Sequence, residues 1–177
     1  QATALRTRLR ALVVPTAALP SRLDATLRPY QLRGLAWLQF LRELGAGGVL
    51  ADDMGLGKTL MTLALLARWK DDAGGAPSLV VCPTSVVGGW AKEAARFVPQ
   101  LRVLVLHGVG RSEKVAKASG SDLIITTYAV LRRDIDRLAN TRFRCVILDE
   151  AQNVKNASAK VSRAARRLDA EMRLALS

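Results

Sequence analysis

Two short stretches of this 177-residue chain carry residue types that could handle a polyphosphate. The first is Ala51-Asp52-Asp53-Met54-Gly55-Leu56-Gly57-Lys58-Thr59. It follows apolar Gly48-Val49-Leu50 and opens an apolar helical pattern from Leu60 to Trp69. Strand, glycine loop, Lys-Thr and helix form the layout of a phosphate-binding loop. Gly55 and Gly57 let the backbone turn its N–H groups inward with no Cβ in the way. Those groups and the following helix N-terminus favour phosphate. Lys58 supplies a point charge for the terminal phosphates, and Thr59 a hydroxyl for Mg²⁺. The pattern G-x-x-x-x-G-K-[ST] wants glycine where this chain has Asp52, and a bare Gly-Lys-Thr can also cap an ordinary helix.

The second stretch is Val146-Ile147-Leu148-Asp149-Glu150-Ala151-Gln152, an apolar run ending in two carboxylates. Asp149 is placed to hold Mg²⁺, directly or through water, and Glu150 to position and polarise an attacking water. Adjacent carboxylates after a strand can equally form a helix N-cap. Their pairing with Lys58-Thr59 favours the nucleotide-site reading. The intervening chain has room for about three strand–helix units.

The elements that must position these residues are legible as alternating runs. A helix is predicted from Pro29, with Leu32, Leu35, Ala36, Leu38 and Leu41 as its apolar stripe and Gly45 as its stop. Strands are predicted near Val49–Asp52, Ser78–Cys82, Val103–His107, Asp122–Thr126, Cys145–Asp149 and Met172–Leu176. Between them lie the Leu60–Lys70 helix, one from Pro83-Thr84-Ser85 through Phe97, a short basic helix over Arg111–Ala118, one holding Val130, Leu131, Ile135 and Leu138, and one over Ser158–Leu168. Gly88-Gly89 could delay or bend the start of the second of these. Alternation with continuous apolar strands implies an α/β fold, a mostly parallel sheet covered by helices on both faces. Ligands of such sheets bind at the carboxyl ends of the strands. The glycine loop, Pro83-Thr84-Ser85, Thr126-Thr127-Tyr128 and Asp149-Glu150 all fall there. Residues 1–26, broken by Pro15 and Pro20, read as a lead-in or linker packing on a domain over 27–177.

Composition narrows the function classes. Half the residues are apolar, which excludes a disordered chain, and charges interrupt every run before it reaches membrane-spanning length. The first residues, Gln1-Ala2-Thr3-Ala4-Leu5-Arg6, are not a signal segment. A cytoplasmic location is expected, nucleoid-associated in a bacterium. Cys82 and Cys145 lie in apolar runs without metal-type spacing, and His107 is the only histidine, so histidine catalysis has little material. The net charge of +12 favours a polyanionic partner, and the 27 cations are mostly arginine, suited to bidentate phosphate contacts. An arginine bias also accompanies GC-rich genomes. Arg132, Arg133, Arg163, Arg166 and Arg167 could touch DNA or solvate helix faces, and the solvated reading is favoured for most of them.

The order Leu-Arg-Pro-Tyr-Gln, Asp-Asp-Met-Gly-Leu-Gly-Lys-Thr, Cys-Pro-Thr-Ser with a later Trp90 and Glu93, Ile-Thr-Thr-Tyr, and Asp-Glu-Ala-Gln-Asn-Val-Lys-Asn resembles the Swi/Snf-type (SWI2/SNF2) ATPases of helicase superfamily two. The resemblance spans Leu23 to Ser177 and points to a bacterial member. It implies the first RecA-like P-loop lobe of a two-lobe motor that uses ATP and Mg²⁺ to translocate on double-stranded DNA without strand separation. Gln31 is then expected to contact adenine, framed by Arg28 and Tyr30. Asp53, Met54, Gly55, Leu56, Gly57, Lys58 and Thr59 would bind the phosphates, and Thr59 and Asp149 the metal. Lys58, Asp149 and Glu150 would be catalytic. Thr84, Ser85, Thr126, Thr127 and Tyr128 match motifs that track the DNA backbone. Gln152, Lys155 and Asn156 match positions that couple hydrolysis to nucleic acid, with Gln152 standing where many members have histidine. At Leu174-Ala175-Leu176-Ser177 members would continue into Gly-Thr-Pro, so a second lobe of the same polypeptide is expected as a partner. That lobe carries an arginine finger, which can supply about 10³–10⁵ in rate, so this segment alone is expected to be nearly inactive. A nucleoprotein or transcription complex would be a further partner. An RNA-directed helicase-type ATPase, or a basic nucleic-acid-binding module with a vestigial nucleotide site, are the alternatives.

Overall fold

The computed structural model describes residues 16–53, 55–72, 75–108, 120–152 and 159–177. Helix α1 (Pro29–Glu43) has proline in its first turn, and the Gln31 side chain reaches back to accept the Arg28 N–H at 2.9 Å. Gly45, at φ 63°, ends it, and its N–H donates to the Arg42 carbonyl. The chain then alternates: β1 (Gly48–Leu50), α2 (Lys58–Asp72), β2 (Ser78–Cys82), a 3-10 turn (Thr84–Val86) leading into α3 (Val87–Phe97), and β3 (Val103–Leu106). It continues with β4 (Leu123–Thr127), α4 (Tyr128–Leu138), β5 (Arg142–Leu148), α5 (Ala159–Arg167) and β6 (Asp169–Leu176). Gly88 and Gly89 do not bend α3; they sit in its first turn, where an added Cβ would meet open space. The expected basic helix at 111–118 lies outside the described residues.

The six strands form one sheet in the order β1-β6-β5-β2-β4-β3, and every pairing is parallel. The chain steps one way across the sheet from β1 to β3 and returns from β3 to β6. Right-handed crossovers taken in opposite directions put helices on opposite faces. Accordingly α1, α2 and α3 cover one face, with Leu35, Leu63, Leu65 and Trp90 against Val80, Ile125 and Ile147. Helices α4 and α5 cover the other, with Leu131, Ile135 and Ala164 against Leu79, Val81 and Ile124. Strands β2 and β4 are buried along their whole length, which explains their unbroken apolar sequences.

Three of the described residues before α1, Ala18, Ser21 and Asp24, are tied to this body. Ala18 and Gln39 exchange two hydrogen bonds, Ser21 donates from its N–H and hydroxyl to Asp71, and Asp24 N–H donates to the Phe97 carbonyl. At the sheet edge opposite the carboxyl ends, Asp122 gathers three segments. It accepts Lys70 Nζ at 2.7 Å from α2, and the Arg102 N–H and guanidinium at 2.8 Å from the approach to β3. Burial alone would raise this carboxyl; the bonds from Arg102 and Lys70 outweigh it and hold it well below the usual carboxylate range. Stability from a depressed carboxyl is present above its unfolded pKa, about 3.9, and fades as pH falls through the folded value. Asp122→Asn is therefore expected to lower the Tm of the chain by roughly 5 °C at pH 7, with the gap to the unsubstituted chain closing below about pH 4. Thermal melts across pH check both parts.

Candidate functional site

The site lies where β1, β5 and β2 end. Strand β6 separates β1 from β5, so the loop after β1 and the acidic pair after β5 stand two strand spacings apart, about 10 Å. Hydrogen bonds lock this rim: Asp149 N–H donates to the Val81 carbonyl at 2.9 Å, Ala151 N–H to Leu176 at 2.9 Å, and Ser177 N–H to Leu50 at 3.2 Å. Between them opens a cavity of about 710 Å³, lined by Gly55, Gly57, Lys58, Thr59, Ser85, Trp90, Glu93, Asp149 and Glu150 among others. Of the residues expected to bind phosphate, hold metal and activate water, Gly55, Gly57, Lys58, Thr59, Asp149 and Glu150 line this space, whereas Asp53 and Leu56 do not.

Each wall has a local cause. Gly55 and Gly57 have φ of 83° and 82°, in the left-handed region that favours glycine. An added Cβ at Gly55 would meet nothing, whereas at Gly57 it would collide with Gln31 Nε2. Lys58 and Thr59 open α2, which has no acidic residue in its first turn to compete for the positive helix end. In this conformation Lys58 Nζ donates to the carbonyls of Asp52 and Asp53. Met54 lies outside the described residues.

Tyr30 and Gln31 stand differently from the simple adenine-reading expectation. The Tyr30 hydroxyl and Gln31 Nε2 both donate to the Leu56 carbonyl, at 3.2 and 3.1 Å. With its oxygen already accepting Arg28 N–H, the buried Gln31 amide keeps one N–H and one lone pair for any base. Arg28 is exposed.

The acidic pair is held by donors from elsewhere in the fold. Trp90 Nε1 donates to Asp149 Oδ2 at 2.8 Å, Glu150 N–H to Asp149 Oδ1 at 3.0 Å, and the Tyr128 hydroxyl to the Asp149 carbonyl at 2.7 Å. Burial raises the Tyr128 phenol, reinforced by Asp149, Cys82 and Glu150, so it stays a donor. Burial and Asp149 push the Cys82 thiol up to about 12, leaving it neutral beside the site. Burial likewise raises Glu93, opposed by Arg96 and assisted by Asp149. Glu150 has φ of 52°, a left-handed conformation costing a non-glycine residue about 1–2 kcal/mol. Gln152 donates to its carboxylate.

The backbone-tracking candidates separate into two groups. Thr84 and Ser85 are exposed beside the cavity. The side chains of Thr126 and Thr127 turn inward, contrary to a role for their hydroxyls on an external backbone. Thr126 Oγ1 donates to the Leu106 carbonyl and Thr127 Oγ1 caps α4 by accepting Val130 N–H. Their place in a fully buried strand requires this, since a buried hydroxyl needs a partner. Lys155 and Asn156 lie outside the described residues. Trp90 and the contacts to Leu56 were not among the predicted site residues. A tryptophan near a helix start, with Glu93 one turn later, was the only signal for the former.

A parallel sheet whose carboxyl rim joins a Gly-Lys-Thr loop to an Asp-Glu pair defines a phosphate-loop nucleotide-binding lobe. The family model described as SNF2-related domain matches residues 30–177, and the chain belongs to that family. It is 42% identical over 156 residues to YwqA of Bacillus subtilis, covering 86% of this chain and 17% of that protein. To the TATA-binding protein-associated factor mot1 of Schizosaccharomyces pombe it is 36% identical over 178 residues, covering 93% of this chain and 9% of that protein. The solved SWI2/SNF2 ATPase core of Sulfolobus solfataricus in complex with dsDNA superposes with a TM-score of 0.83 at 45% identity, over 89% of this chain and 33% of that one. The chain therefore spans a sixth or less of these two relatives and a third of the solved core. Among the described residues no helix is long and apolar enough to cross a membrane.

The two loop glycines separate strain from collision. Gly55→Ala should lower the Tm by roughly 3 °C from backbone strain alone, and Gly57→Ala by at least twice that because Gln31 must also move. Thermal melts of the two variants, side by side, check the order.

Proposed function

We propose that this chain is the first ATP-binding lobe of a double-stranded-DNA-dependent ATPase and translocase. The observation that carries the reading is the single cavity shared by Lys58, Thr59, Asp149 and Glu150. The donor set fits Mg²⁺: a hydroxyl and a carboxylate, both hard oxygens, border the cavity. Among the described residues no group of three or more His, Cys, Asp and Glu could hold a metal alone. Mg²⁺ is commonly shared in that way, between one or two protein oxygens and substrate phosphates. Thr59 and Asp149 would hold it, and it would neutralise charge on the transferring phosphoryl group.

The chain's own residues supply the rest. Loop N–H groups and the α2 N-terminus receive phosphate oxygens. Lys58 exchanges its two carbonyl acceptors for the terminal phosphates when nucleotide enters. Glu150 orients the attacking water and accepts its proton; its left-handed backbone aims the carboxylate, and Gln152 restrains it. Tyr30 and Gln31 support the loop through Leu56 while Gln31 and Arg28 face the base. Lys155 and Asn156, with Gln152, would couple hydrolysis to nucleic acid. The DNA expectation draws on the relative solved with dsDNA and on the basic charge. Exposed Thr84 and Ser85 are the side chains best placed to meet a backbone, with Tyr128 linking β4 to the acidic pair. In the full-length protein a second lobe would close the cavity.

ATP hydrolysis by the full-length protein tests this. Duplex DNA is expected to stimulate it more than RNA, with binding that falls steeply as salt rises and varies little with sequence. Lys58→Ala should cut the rate by about 10²-fold or more. Greater stimulation by RNA would favour the RNA-directed reading. An unchanged rate in Lys58→Ala would favour a vestigial nucleotide site.

A further inference from the structure

We propose that Trp90 is a positioning residue for Asp149, setting the affinity of the site for its divalent cation through the indole N–H. This deepens the nucleotide-site reading and rests on it. Trp90 is 2% exposed, on the face of α3 that also buries Val87 and Ala94. Packing alone would account for an aromatic ring there, but not for the direction of its one polar atom. That atom donates at 2.8 Å to a carboxylate 59 residues away on another element. A buried indole N–H left without a partner is costly, so the ring and the carboxylate fix each other.

The consequence for Asp149 is specific. Each carboxylate oxygen accepts one N–H, Oδ2 from Trp90 and Oδ1 from Glu150, while Tyr128 holds the carbonyl. Each oxygen retains a second lone pair, and Asp149 lines the cavity. The side chain is therefore oriented before any cation arrives, and the cation need not pay to order it. Outer-shell donors of this kind typically change metal affinity by about 10- to 100-fold when removed. The same contact joins Asp149 to α3, which begins immediately after exposed Thr84 and Ser85. A displacement of α3 would reach the cation ligand directly.

The test uses the full-length protein, a fluorescent ADP analogue and MgCl₂. Affinity for the analogue is measured without divalent cation and across a Mg²⁺ titration. Two variants are compared: Trp90→Phe, and replacement of Trp90 by 3-benzothienylalanine, which keeps the ring shape and lacks only the N–H. The isostere carries the test if Trp90→Phe does not fold. The expected result is a rise of about tenfold or more in half-saturating Mg²⁺, with metal-free affinity unchanged. An unchanged Mg²⁺ midpoint in the isostere, or an equal loss with and without the cation, would overturn the proposal. Lys58→Ala, run alongside, separates the two levels. If it loses nucleotide while the isostere keeps its Mg²⁺ midpoint, only the role of Trp90 fails. If it binds the analogue normally, the nucleotide-site reading fails and this proposal with it.

Discussion

One constraint governs this lobe: the Lys58 loop after β1 and the Asp149-Glu150 pair after β5 are held apart by one strand. Strand β6 pairs in parallel with β1 on one side and β5 on the other, and its register places the ends of all three at one rim. The gap of about 10 Å follows from strand spacing, not from side chains. Lys58 lies on one bank of the cavity and the carboxylates of Asp149 and Glu150 on the other, the arrangement the proposed function uses. The opposite edge anchors the arrangement. There Asp122 ties α2, β3 and β4 together through Lys70 and Arg102.

Within that frame the site is satisfied internally. Lys58 rests on the carbonyls of Asp52 and Asp53, Gln31 and Tyr30 on that of Leu56, and Gln152 on Glu150. These contacts give Lys58, Gln31, Tyr30 and Gln152 partners around a charged, glycine-rich loop. They also define what entry of a nucleotide must exchange. In the proposed function Lys58 would exchange neutral carbonyl acceptors for anionic phosphate, adding attraction between opposite charges. The acidic side differs: Asp149 is fixed by Trp90, Glu150 and Tyr128 without losing the lone pairs that would face a cation.

Much of this was legible in the residues. Val80, Ile125 and Ile147 sit in unbroken apolar runs, and such runs make strands buried on both faces. Asp149-Glu150 follows one of these runs and Lys58-Thr59 follows the shorter apolar stretch Gly48-Val49-Leu50, and rim placement follows from parallel α/β geometry. The strand order was not legible, because pairing of β6 between β1 and β5 is a long-range choice with no local signature. Thr126 and Thr127 match a motif that tracks a nucleic-acid backbone but end a strand with no exposed face, so their hydroxyls turn inward. Trp90 announced its bulk and burial, yet the partner of its N–H lies 59 residues away. Gln31 matched a base-reading position, while its proximity to Gly57 emerges only when α1 packs on the loop. The arginines at 132, 133, 163, 166 and 167 are exposed on α4 and α5, and Arg167 pairs with Asp136.

In the proposed function nucleotide and cation lie between the Lys58 loop and the acidic pair. Anomalous diffraction from crystals grown with Mn²⁺ and a non-hydrolysable ATP analogue locates both. One Mn²⁺ peak is expected within coordination distance of Thr59 Oγ1, directly or through water adjoining Asp149, with the phosphates in the turn formed by Gly55 and Gly57. A nucleotide bound elsewhere, or a Mn²⁺ peak remote from both Thr59 and Asp149, would contradict it.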